Sequence, residues 1–156
     1  MENKDYQLMM EYLERNYHTF FNLKNRRTFE LIRTWWRDLK NYDADIMWEV
    51  LREYTASSQY APQLVNLETA YNQKVTAIEN ATKEKATLIR ALIDDSTGVN
   101  ETERLKYNLL LTNKLDSIPL KNREAFTERL YLRCRKSSSA LMQDITILND
   151  ILGEME

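Results

Sequence analysis

Two glycines and two prolines are all the backbone punctuation available across 156 residues. A sheet of short strands needs frequent turns, and turns draw on these two residue types, so the scarcity favours long helices. The fold class expected is all-α. Hydrophobic residues make up 43% and charged residues 29% of the chain, as in ordinary globular proteins, and the length suits one domain or two small ones. No run approaches the roughly 18 unbroken apolar residues of a membrane span. The start, Met1-Glu2-Asn3-Lys4-Asp5, is charged with no apolar stretch behind it, so no signal peptide is expected.

Aromatic residues divide the chain unequally. All three tryptophans, seven of nine tyrosines and three of four phenylalanines precede residue 75. The expected organisation is a small aromatic-cored helical domain over residues 1–74, then long amphipathic helices over 75–156 forming a hairpin or bundle. No Pro or Gly marks the boundary, and one helix can run straight through it.

In the first part, Tyr6, Met9, Met10, Leu13 and Tyr17 follow helical spacing and predict a helix over about 3–17. His18 to Asn22 break the period, with Phe20 and Phe21 placed to anchor the connection against the core. A second helix over about 26–40 puts Thr28, Ile32, Trp35, Trp36 and Leu39 on one face, and both tryptophans are expected in the core. Asp43 is a suitable N-cap for a third helix because its carboxylate can accept free first-turn N–H groups. Asp45 adds favourable charge at the positive end of the helix dipole. Met47, Val50, Leu51 and Tyr54 form that helix's apolar stripe, with Ile46 beside it. Thr55 to Gln59 end it, and Pro62 forces Ala61 out of helical geometry and suits the first turn of the next helix. Leu64, Val65, Leu67 and Tyr71 are expected to carry that helix into the core.

Further on, Val75, Ile78, Ala81, Ile89, Leu92 and Ile93 form a weak stripe that should end near Gly98, a candidate left-handed cap. Asn100 with Glu103 reads as a capping box opening the next helix, with Leu105, Leu109, Leu111, Leu115 and Ile118 along it. Pro119 stops it and can open another. Tyr131, Cys134, Ser138, Leu141, Ile145, Leu148 and Leu152 are spaced by threes and fours, a short heptad-like seam widened by Ile147 and Ile151. Packing against the chain's own helices and self-association into a homo-oligomer both fit that seam.

Catalytic chemistry has little to draw on. One histidine, His18, and one cysteine, Cys134, cannot assemble a Cys/His zinc site. Two glycines cannot build a phosphate loop, and the paired Glu-x-x-His pattern of di-iron bundles is missing. Glu101, Glu103, Glu124 and Glu128 lie on polar faces rather than buried ones. No enzyme, cofactor or metal is expected. A lone cysteine forms no internal disulfide, which points to a reducing, cytoplasmic setting. With 22 basic and 24 acidic residues interspersed, a protein partner is favoured over nucleic acid.

Two basic clusters qualify that. Lys24, Arg26, Arg27, Arg33 and Arg37 are candidate phosphate contacts, though Glu30 and Asp38 on the same helix make a solvated face the simpler reading. Arg123, Arg129, Arg133, Arg135 and Lys136 are mixed with Glu124 and Glu128 and read the same way. Candidate partner contacts are Trp48, off the main stripe of its helix, and Leu141, Ile145, Leu148, Ile151 and Leu152 in the last segment.

From Leu13 to Tyr71 the chain resembles the N-terminal domain of the phage replicative helicase loader/inhibitor family. The residues that carry the resemblance are Tyr17, Phe20 or Phe21, Trp35 or Trp36 with Leu39, and Asp43 opening the next helix. Val50-Leu51-Arg52-Glu53-Tyr54, Ser57-Ser58-Gln59-Tyr60-Ala61-Pro62 and Leu64-Val65-Asn66-Leu67 follow in order. The resemblance implies an accessory protein of phage DNA replication, acting in the host cytoplasm. Its implied partner is a hexameric replicative helicase, with an origin-binding initiator or single-stranded DNA as delivery targets. The C-terminal part departs from the family's flexible helicase-contacting tail, because it reads as folded and helical. A helical adaptor and a weak DNA-binding protein using residues 24–40 are the readings that compete with it.

Overall fold

The computed structural model describes residues 1–95 and 100–136, with only the backbone of Lys136. Six helices and no strand occur among them: α1 (Asn3–Asn16), α2 (Arg26–Leu39), α3 (Ala44–Ser57), α4 (Leu64–Asp94), α5 (Glu101–Ser117) and α6 (Leu120–Lys136). The all-α class is therefore shown. The chain divides into two compact units, Met1–Val75 and a second beginning at Thr76. Helix α4 runs through the division without interruption.

The first unit packs α1, α2, α3 and the start of α4 around Tyr6, Met9, Met10, Leu13, Phe21, Trp35, Leu39, Ile46, Met47, Val50, Leu51 and Leu67, all buried. Every helix start here has a local cause. Asn25 caps α2 by accepting from the Arg27 N–H at 2.9 Å. Asp43 caps α3 by accepting from the Ile46 N–H at 3.1 Å. The Asp43 N–H donates to the Tyr71 hydroxyl at 2.9 Å, and the Tyr71 ring stacks on Tyr42 with centroids 4.4 Å apart. The α2–α3 turn is thus tied to α4. The far end of α3 is held in the same manner, since the Tyr17 hydroxyl donates to the Ser58 carbonyl at 2.8 Å.

Several expectations change at this level. Pro62 is buried but lies ahead of α4, which begins at Leu64. The side chain of Asn66 accepts from the Gln63 N–H at 2.9 Å, so asparagine, not proline, organises that start. Val65 is 57% exposed, because Leu67 and Tyr71 already define the inward stripe and Val65 lies off it. Phe21 is fully buried with its ring edge-on to Trp35 at 5.4 Å, whereas Phe20 is exposed and only flanks Phe21. Trp35 is a core residue, but Trp36 is half-buried against Tyr6.

In the second unit, Ala86, Ile89 and Ile93 of α4 meet Tyr107, Leu111 and Leu115 of α5 and Phe126, Leu130 and Cys134 of α6. Inward positions recur every four residues on α5 and α6, which leaves Leu105 and Leu109 on the exposed side of α5. The expected capping box is present: the Glu103 N–H donates to Asn100 Oδ1 at 3.0 Å and the Asn100 N–H to Glu103 at 2.9 Å. Arg123 at the start of α6 donates to the carbonyl of Ile118, satisfying an orphan group at the end of α5. Gly98 and the seam from Ser138 to Leu152 lie outside the described residues.

Candidate functional site

Aromatic and apolar side chains that the core does not absorb gather between α1 and α2. Asn3, Tyr6, Gln7, Met10 and Glu11 of α1 face Phe29, Ile32, Arg33 and Trp36 of α2, and Leu23 closes one end of a groove of about 540 Å³. On each helix the lining residues recur at three- and four-residue spacing over two turns, so the groove is linear, about 10 Å long. Tyr6 and Trp36 form its floor, with ring centroids 4.9 Å apart and planes tilted by 48°. The Tyr6 hydroxyl donates to the Ile32 carbonyl, joining the two walls. Burial raises that hydroxyl above the usual tyrosine range, so Tyr6 stays neutral as a donor.

The rims differ in charge. On α2, Arg33 is exposed and forms no ion pair among the described residues. On α1, Glu11 already accepts from Gln7 at 3.3 Å and approaches Arg15 at 4.0 Å. Phe29 is 57% exposed, with much of its ring in water. Phe29 belongs to none of the faces read from the sequence. The signal that could have found it was a phenylalanine stranded among Arg26, Arg27, Glu30 and Arg33 on a polar surface.

The five basic candidates do not act as one patch. Lys24, Arg26, Arg27, Arg33 and Arg37 are all exposed, but Arg26 pairs with Glu30 at 3.2 Å and Arg37 approaches Asp38 at 3.8 Å. Of the five, Arg33 alone lines the groove. Trp48 is half-buried, its ring edge-on to Tyr12 at 5.6 Å, and the Tyr12 hydroxyl lies 2.8 Å from Thr55 Oγ1. Leu141, Ile145, Leu148, Ile151 and Leu152 lie outside the described residues. His18 is exposed at the end of α1. No group of three or more His, Cys, Asp or Glu residues among the described residues could hold a metal. No described helix is long and apolar enough to cross a membrane.

A three-sided helical core, capped helix starts and an open apolar groove with the Arg33 cation on its rim define a docking domain. Residues 1–68 match the family model for the N-terminal domain of the phage helicase loader/inhibitor family, the same family that the stretch from Leu13 to Tyr71 resembles. The first unit is thus similar to that domain over nearly its whole length. Neither a curated protein nor a solved structure matches the chain.

Proposed function

We infer that this protein is a non-enzymatic accessory factor of phage DNA replication, one that binds a hexameric replicative helicase in the host cytoplasm and regulates its loading or activity. The observation that carries this reading is the coincidence of the family match with an independently compact unit. Residues 1–68 match the loader/inhibitor domain, and the structure closes its first unit at Val75. A fold alone would not be enough, because small helical domains serve many tasks. Here the match is to a family rather than to a fold. The pairing of Arg26 with Glu30 and of Arg37 with Asp38 leaves the DNA-binding reading with less support.

The test is co-elution of the full chain with a hexameric replicative helicase, followed by that helicase's ATPase and unwinding rates. A stable complex with a severalfold change in either rate is expected. Co-elution without any change in rate would leave only an adaptor role, and failure to co-elute would overturn the reading.

A further inference from the structure

We propose that the α1–α2 groove is a docking site for an amphipathic helix from a partner protein, one whose polar edge is acidic. The lining residues set the shape: two parallel stripes of two turns each accept the apolar ridge of one helix, with anchors at i, i+3 or i+4, and i+7. Tyr6, Met10, Ile32 and Trp36 supply an apolar floor, and the exposed ring of Phe29 supplies apolar surface that docking would remove from water.

Charge selects among such helices. Residues 24–40 carry six basic and two acidic side chains, and Glu30 and Asp38 are both engaged by arginines of the same helix. Arg33 stands on the rim with no ion pair of its own among the described residues. The carboxylate on the opposite rim, Glu11, already has two partners on α1. An incoming helix with Asp or Glu beside its apolar ridge would pair with Arg33, whereas a basic helix would meet repulsion there. This site goes beyond helicase binding: it defines the chemistry of whatever helix the first unit accepts, and it can fail while the helicase reading stands.

The experiment uses the full chain and two fluorescent 18-residue helical peptides. Both carry leucines at i, i+3, i+4 and i+7, and the flanking positions are glutamate in one and lysine in the other. The glutamate peptide should bind about tenfold or more tighter than the lysine peptide. Arg33→Glu should erase or reverse that preference, and Phe29→Glu should weaken the glutamate peptide by about tenfold. Both positions are exposed, so helical circular dichroism should stay unchanged in each variant, and either variant alone suffices should the other fail to fold. Equal binding of the two peptides would overturn the proposal. So would a 15-mer of deoxythymidine that binds and is lost with Arg33→Glu while neither peptide binds. Self-association of the chain that disappears in Phe29→Glu would assign the groove to a second copy and would overturn it as well.

Discussion

Trp35 and Trp36 are neighbours in sequence and differ in environment. Trp35 is 4% exposed and meets Phe21 inside the core, whereas Trp36 keeps one side open to the groove. Truncating the buried one removes its transfer energy and leaves a cavity, so Trp35→Ala should cost about 3–5 kcal/mol. Trp36→Ala should cost less than half as much, because the groove already exposes part of the ring. Urea midpoints of the two variants followed by circular dichroism check this, and equal losses would contradict the division. Phenylalanines 20 and 21 repeat the lesson. Sequence periodicity found that both pairs were important to the fold but could not rank them, since two adjacent aromatics cannot both point inward and the selection is made by packing. Capping was far more legible. Asp43, and Asn100 with Glu103, act through bonds to N–H groups within three residues, so the sequence contains the whole interaction.

Among the elements, α4 shows where local reading ended. Its continuity from Leu64 to Asp94 agrees with the lack of Gly or Pro, but which residues face inward depends on neighbours distant in sequence. Lys74 is an example: it pairs with Glu49 at 3.2 Å and with Glu53, joining α4 to α3. Hydrogen bonding to Glu53, then to Glu49, raises its pKa against an opposing desolvation. A lysine raised in the folded state stabilises fully below its unfolded pKa, and that contribution fades as pH climbs through the folded value. Lys74→Met should therefore cost up to about 1 kcal/mol at pH 8, given partial exposure. The gap between variant and parent should close above the ordinary lysine range, near pH 11. Urea midpoints at the two pH values measure it, and a gap that persists would trace the loss to the aliphatic stem. The groove was invisible for a related reason. Arg33 was singled out by charge, but its place beside Phe29 and Trp36 depends on how α1 lies against α2.

For the molecule as a whole, each unit carries its own reporter. All three tryptophans belong to the first unit, and the sole thiol, Cys134, is buried in the core of the second. Burial pushes that thiol above its usual pKa, only partly opposed by Arg133, so it reacts slowly both for lack of access and for lack of thiolate. A disulfide reagent at pH 8 should label the native protein about 100-fold more slowly than the urea-unfolded chain, because reaction waits on opening of the unit. Ile89→Ala or Leu130→Ala should raise that rate severalfold by loosening the same cluster. Rapid native labelling would show that the α4–α5–α6 core is not closed around the sulfur.

The hydrogen bond from the Asp43 amide to Tyr71 bears on how the chain can be cut. A shortened protein stopping at residue 68, where the family match ends, would keep every matched position and yet lose both Tyr71 and Lys74. The turn into α3 would then have an unsatisfied amide and Tyr42 a bare face, so a cloning boundary drawn from the family alone would fall a full helical turn too early.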